Sequence, residues 1–421
     1  MFNIEDVTTG RSCMKRSYIF PAITVLFLLL AVTPSSLAQK QGDVTWRHLS
    51  SATGDIEAPN PGRQQTATAV FDVDGDGIND FIITERSKIP SAVWYRRTAS
   101  GWDRYVVDDT HQRIEAGSAV HDIDSDGDLD VVFGGDGGSN MVWWWENPFP
   151  DYNPETPWKR HVIKDSGKNK QHDQVFGDFD GDGLVELLFW NQGARTLFLA
   201  EIPDDPRNAA IWDYTAIYTW SSDSQMEQRG TYPVWKSVNE HEGFDVIDID
   251  GDGQLDIVGG GLWFKHLGGN DYMPNIIDAG YTFSRSAAGQ LKEGGRPEVV
   301  LVVGDGIAPM VMYEWLKGTW GSTVLIEGVD NGHTLDIIDF DGDGHLDIFC
   351  AEMNLGNNPN ATSWILLGDG MGGFTTTIIS EGVANHESKI ADLDGDGDYD
   401  VLGKPYMWDA PRLDIWINEG K

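Results

Sequence analysis

Short runs of alternating or wholly apolar residues recur along the chain, and each stops at an acidic, glycine-bearing loop before another begins. Thr68-Ala69-Val70-Phe71 leads into one such loop and Phe81-Ile82-Ile83 leaves it; Phe244-Asp245-Val246-Ile247 and Asp256-Ile257-Val258 repeat the arrangement. Two short apolar runs joined by such a loop predict paired strands, and the periodicity of a helix is absent. An aromatic run comes next, as in Ala92-Val93-Trp94-Tyr95, Met141 to Trp145, Met312 to Trp315 and Ser363-Trp364-Ile365. A fourth run often opens on Gly or Trp: Gly101 to Val107, Trp158 to Ile163, Trp320 to Ile326. Each unit therefore predicts four strands.

The loops themselves are copies of one motif, DxDxDGxxD. Its acids are Asp72, Asp74, Asp76 and Asp80 in the first copy and Asp122, Asp124, Asp126 and Asp130 in the second. Asp178, Asp180, Asp182 and Glu186 form the third, and Asp248, Asp250, Asp252 and Asp256 the fourth. Asp339, Asp341, Asp343 and Asp347, then Asp392, Asp394, Asp396 and Asp400, complete the six intact copies. A degenerate copy, Gln290 to Glu298, keeps the spacing and the final acid alone. The seven starts lie 50, 56, 70, 42, 49 and 53 residues apart, a blade-length period. Seven repeats of four strands predict an all-β chain folded as a single seven-bladed β-propeller. The last repeat ends on its third strand, Leu413 to Asn418, and Val44 to Leu49 resembles the missing fourth, so the N-terminal strand is expected to close the last blade.

Acids at loop positions 1, 3, 5 and 9, with a glycine at 6 for the tight turn, present hard oxygen ligands to one cation. The chemistry points to Ca2+ at about six structural sites, with magnesium the poorer fit. The intact loops hold 24 of the 67 acids of a chain whose net charge is −37. That charge leaves nothing to neutralise a phosphate backbone, so no nucleic-acid partner is expected.

Residues 1–38 read as a signal peptide: basic Met14-Lys15-Arg16, apolar Ile19 to Val32, and Ser36-Leu37-Ala38 before cleavage. With Glu5 and Asp6 ahead of it, Met14 makes the better initiator. The apolar run falls short of the ~20 residues a span needs, so a mature chain of 39–421, secreted or periplasmic and without a stable membrane anchor, is expected. Cleavage would remove Cys13 and leave Cys350 alone, so ions rather than a disulfide would staple the fold.

The loops, with the nearby Phe133-Gly134-Gly135 and Gly259-Gly260-Gly261, resemble the FG-GAP/VCBS repeats of integrin α-chain propellers and many secreted bacterial proteins. The resemblance implies the propeller and its calcium, and leaves function open. A second resemblance, to the propeller domain of the aldos-2-ulose dehydratases, rests on QHDQVFGDFDGDG, NGHTLDIIDFDGDG and NHESKIADLDGDG and on the strand ends WNQGA and GKPYMWDAPR. It implies sugar-dehydrating chemistry, but those enzymes also carry cupin domains, whose activity does not carry over.

Counting back six residues from the first acid reaches His172, His333 and His386; counting back seven at Asp248 reaches His241, with Glu242 beside it. These positions begin the innermost strands, so the four imidazoles are expected to converge on the mouth of the axial funnel. Converging imidazoles suit a transition metal such as Zn2+ or supply a general base. Strand ends on the same face offer Tyr406 and Lys404 as proton donors, and Arg195, Arg412, Asn191, Gln192, Glu352, Asn354 and Trp408 as substrate contacts. Trp263 is a further stacking candidate; Trp143, Trp144, Trp145, Trp315, Trp364 and Trp416 read as packing. Two readings follow. One is a carbon–oxygen lyase, a sugar dehydratase or polysaccharide lyase, acting by proton abstraction and β-elimination at the His-lined site, with His172 or His333 as base. The other is a non-catalytic glycan- or protein-binding propeller with purely structural calcium. A carbohydrate ligand is expected in the first and is one option in the second.

Overall fold

In a computed structural model of the chain, which describes residues 44–221, 240–355, 358–407 and 409–420, 28 strands form seven antiparallel sheets of four, with no helix among the described residues. The leader at 1–38 and Trp408 lie outside the described residues. The first blade shows the pattern: Gln65–Phe71, Asp80–Glu85, Ala92–Thr98 and Gly101–Asp108 pair in chain order. Each intact motif joins the first strand of its blade to the second, and its ninth residue is the first of that second strand, as Asp80 is here. First strands of neighbouring blades pack on one another around the axis.

Closure follows the expected route. Trp46–Ser50 pairs antiparallel with Asp414–Asn418, with Trp46 opposite Asn418 and Ser50 opposite Asp414, so the sheet made by the last blade is completed from the other end of the chain. Joining the two ends in one sheet leaves no open edge between first and last blades.

The core divides in the same way, into seven clusters, one between each pair of adjacent blades. Side chains on a strand alternate between faces, so consecutive residues serve different interfaces. Trp143 and Trp145 pack toward the first blade and Trp144 toward the third. Trp416 and Trp364 likewise lie in blade interfaces, and Trp315 packs against Trp263 and Trp320. Trp263 itself is buried between the fourth and fifth blades, too enclosed to stack on a sugar. Cys350 is a free thiol buried in the interface of the fifth and sixth blades.

Candidate functional site

The two ends of the axis have different chemistry. At one end lie the acidic loops. In the first, Asp72 accepts the N–H groups of Asp76 (3.1 Å) and Gly77 (2.8 Å), and Asp76 accepts that of Ile78 (3.0 Å). The glycine at position 6 has φ between +87° and +103° in every intact copy, a conformation that costs glycine little. Several acidic groups come close enough to share an ion. Asp178, Asp180, Asp182 and Glu186 have oxygens within 4.8 Å of one another, as do Asp72 with Asp74 and Asp76, and Asp122 with Asp124 and Asp126. Asp248, Asp250 and Asp256, and Asp339, Asp341 and Asp347, form similar groups.

The ninth acid has a second task that the motif did not reveal. Asp130 accepts the N–H of Ile123 at the start of its loop (3.1 Å) and that of Asn147 beyond the third strand (2.8 Å). Asp256, Asp347 and Asp400 make the equivalent pair of bonds. In the degenerate copy Glu298 accepts the N–H of Lys292 (3.0 Å), which explains why this acid persists where the other three are gone. Burial pushes these carboxyls up, to about 7 at Asp80, Glu186 and Asp400, about 8 at Asp130 and about 6 at Asp347. A carboxyl raised above its unfolded value of ~4 stabilises the ion-free fold at low pH and loses that contribution as pH climbs through its folded value. The EDTA-treated protein is therefore expected to melt at a lower temperature at pH 8 than at pH 6, as differential scanning calorimetry would register. An ion-free melt independent of pH over that range would contradict this reading.

At the opposite end, the strand starts enclose a cavity of about 180 Å3 on the axis, lined by Arg86, Glu115, Lys170, His172, Glu242, Phe283, Asp305, His333, Met353, Leu355, His386 and Tyr406. Three of the four expected histidines meet here. His241 does not: it is fully buried and stacks on Trp220 at 4.1 Å, with Trp190 edge-on at 5.2 Å. The residue that joins the other three is its neighbour Glu242, the one in register six residues before Asp248. Adjacent residues of an extended chain point to opposite sides, so an imidazole aimed into the blade goes with a carboxylate aimed at the axis.

Glu242 lies between two imidazoles, 3.4 Å from Nε2 of His172 and 3.7 Å from Nε2 of His333, and its Oε1 is buried without a hydrogen-bond partner. Behind it the chain passes close: a Cβ on Gly304 would lie 2.1 Å from that oxygen. Nδ1 of His172 is 2.7 Å from Asp173. Burial opposes the charge on His172, but Asp173 and Glu242 outweigh it and raise its pKa. Nδ1 of His333 is 3.2 Å from the guanidinium of Arg285. Guanidinium only donates, so this nitrogen accepts and Nε2 carries the hydrogen toward Glu242 and Asp305, the latter at 3.4 Å. His386 stacks on Tyr406 (5.0 Å) and meets His333 at a tilt (4.7 Å), and burial followed by the charge of Lys404 holds it neutral, well below its ordinary value. Arg86 bonds the Tyr406 hydroxyl and pairs with Glu115 at 2.9 Å.

The remaining described candidates lie away from this cavity. Lys404 is buried behind His386, donating to the carbonyls of Thr66 (2.6 Å) and His386 (2.7 Å) and so tying the last blade to the first. Asn191 and Gln192 bond the carbonyls of Lys168 and His241. Arg412 is held by Asp414, and Arg195 is exposed on a turn with φ of 57°. Glu352 accepts the N–H groups of Asp330 and Thr362, and Asn354 bonds Asp409 and Asn358. None of these seven lines the cavity. For Asn191, Gln192, Glu352 and Lys404 the reason is local: their side chains are taken up by nearby backbone groups.

Three stretches, residues 122–189, 178–259 and 339–403, match the FG-GAP-like repeat. No curated protein matches the chain. Among solved structures, the BP39L lectin from Burkholderia pseudomallei is similar at 14% identity and a TM-score of 0.51, over 86% of this chain and 97% of that one. The V. cholerae biofilm matrix protein Bap1 aligns at 12% identity and a TM-score of 0.38, over 85% of this chain and 59% of its own length. AofleA from Arthrobotrys oligospora aligns at 11% identity and a TM-score of 0.40, over 80% and 91% of the two chains. The likeness to the lectin concerns the fold alone.

Proposed function

We propose that this chain, an FG-GAP-repeat β-propeller, is an exported, calcium-stiffened carbon–oxygen lyase acting on a small carbohydrate at its axial cavity. The observation that carries this reading is the Glu242 carboxylate, which lines the axial cavity between His172 and His333. A volume of about 180 Å3 is small beside the ~300 Å3 at which drug-sized sites begin. It suits one sugar ring.

In this reading Glu242 takes the proton α to a carbonyl or carboxylate. His172, kept protonated by Asp173, and the nearby cations Lys170 and Arg86 stand ready for the oxygen on which negative charge develops. Tyr406, bonded to Arg86, donates the proton that accompanies the departing hydroxyl, and a carbon–carbon double bond remains. His333 orients Glu242 rather than accepting a proton, since Arg285 occupies its free lone pair. The expected bases, His172 and His333, thus become the charged neighbour and the orienting neighbour of a carboxylate base.

The expected zinc does not fit these residues: Arg285 takes the lone pair of His333 Nδ1, leaving Nε2 to carry the hydrogen, and His172 lies between the carboxylates of Asp173 and Glu242, so neither imidazole turns a free lone pair toward a metal. The six intact acidic loops would hold calcium, and the N-terminal leader would direct export.

The test is a screen of keto-sugars and uronates for ultraviolet absorbance from a new double bond, alongside elemental analysis of the purified protein. The expected result is unsaturated product with about six calcium ions per chain. No product from either class would leave the lyase reading without support.

A further inference from the structure

The residue that faces the ninth acid from the third strand differs from blade to blade. The acid itself marks the place, because it accepts the N–H of the residue that follows. Asp80 accepts from Arg97 (2.6 Å), Asp130 from Asn147 (2.8 Å), Asp256 from His266 (2.8 Å), Asp347 from Gly368 (2.7 Å) and Asp400 from Asn418 (2.8 Å). One residue earlier stand Arg96, Glu146, Lys265, Leu367 and Ile417. In the third blade Glu201 lies opposite Glu186, and in the fifth the pairing of Val299 with Tyr313 brings Glu314 opposite Glu298. Opposed residues of an antiparallel pair share a face of the sheet, so each of these side chains is placed beside its own loop.

Three loops thereby receive a cation that the chain itself supplies. Arg96 bonds Asp74, and Lys265 bonds Asp250 and lies 2.8 Å from Asp252. In the second blade Glu146 holds Arg207 at 3.0 Å, and that guanidinium reaches Asp124 at 2.7 Å and bonds Asp126. All five of these acids stand at loop position 3 or 5. The fifth blade carries the exchange to completion: Lys292 occupies position 3 of the degenerate copy and pairs with Glu314.

Among the described residues, the loops of the third, sixth and seventh blades have no Lys or Arg partner. In the third, Glu186 is wholly buried and its Oε1 makes no hydrogen bond, beside the three aspartates of its loop, which suits an ion held among them. Glu201 adds a further acid on that face. Leu367 and Ile417 add no charge to the sixth and seventh. Arg97 gives its guanidinium to the carbonyls of Leu393 (3.2 Å) and Gly101 (3.1 Å) rather than to an acid of the seventh loop.

Calcium affinity rises with the acidic charge of a site and falls when a fixed positive charge stands beside it. We propose that the residue facing the ninth acid, or the cation it recruits, divides the six sites into two classes. The third, sixth and seventh blades bind calcium tightly. The first, second and fourth, partly neutralised by Arg96, Arg207 and Lys265, bind it at least about tenfold more weakly. The inference rests on the calcium reading given above and is independent of the lyase. When calcium is scarce the first, second and fourth blades empty first, and their tethered cations stand in for the ion, as Lys292 does permanently in the fifth.

Equilibrium dialysis of the full chain against a series of buffered free-calcium concentrations, with bound calcium counted by elemental analysis, tests this. Two steps of about three ions each are expected, separated at least about tenfold in free calcium. Lys265→Met removes the charge, keeps much of the stem, and should move one ion from the weak step to the tight one. Arg207→Met should do the same in the second blade, whereas Lys265→Arg should leave both steps as they are. Six ions lost in a single step, or a tight step that stays at three in both methionine variants, would overturn the grading and leave the calcium sites standing. A chain that takes up no calcium at any concentration would defeat the calcium reading and the grading with it.

Discussion

Glu242→Gln is expected to lower kcat/KM for formation of unsaturated sugar by a factor of about 10²–10⁴, the range a positioned general base contributes. The substitution keeps the shape of the side chain and removes its capacity to take a proton. Its surroundings leave little room for a substitute, because Gly304 closes on Oε1 from behind and the two imidazoles flank it. The fold should tolerate the change: Oε1 has no hydrogen bond to lose. A melting temperature within a few degrees of wild type, measured on the assayed sample, would separate a chemical defect from a structural one. Gly304→Ala offers an orthogonal check, since its methyl would have to displace the carboxylate and should reduce turnover without touching any ionisable group. Wild-type turnover in Glu242→Gln would remove that residue from the chemistry.

Removal of calcium is expected to have the largest effect on stability. Acids at loop positions 1, 3 and 5 crowd together with oxygens within 4.8 Å in several loops, and they repel when no cation lies between them. An ion that binds only the folded chain contributes about 3–4 kcal/mol per site at a concentration 100- to 1,000-fold above its Kd. With several such sites in one chain, EDTA should lower Tm by at least about 10 °C, and added calcium should restore it. Asp180→Ala, which strips one loop of a ligand, should reproduce a fraction of that fall. A Tm that ignores both chelator and calcium would mean that the loops are held by their backbone bonds alone.

The repeat made the architecture readable because each blade carries its own acidic punctuation, and the period of those marks is the period of the ring. Even the closing strand could be placed, since Trp46-Arg47-His48 imitates the fourth strand beginning at Lys159. The site was harder. His241 and Glu242 differ by one position, and that single step of strand parity decides which of them meets the axis; a strict count of six residues back from Asp248 selects the glutamate. Arg285 belongs to the degenerate blade, where no intact motif marks the start of the inner strand, so nothing local announced its reach to Asp173 and His333. Lys404 and Glu352 are polar residues at strand ends whose partners come from distant parts of the chain or from turn backbone, and only the folded ring supplies those partners. The ninth acid, which spacing marks only as a candidate ion ligand, also staples backbone, and that second role shows only in the fold.

The proposed chemistry begins with loss of one carbon-bound hydrogen, and exchange in deuterium oxide observes that event before any bond to oxygen breaks. Incubation of a keto-sugar or uronate with the calcium-loaded protein should introduce deuterium at the carbon α to the carbonyl or carboxylate, as proton NMR would detect, and Glu242→Gln should fail to do so. Exchange that proceeds equally with the variant, or a wild-type protein that leaves every carbon-bound hydrogen in place, would contradict a carboxylate base on the propeller axis.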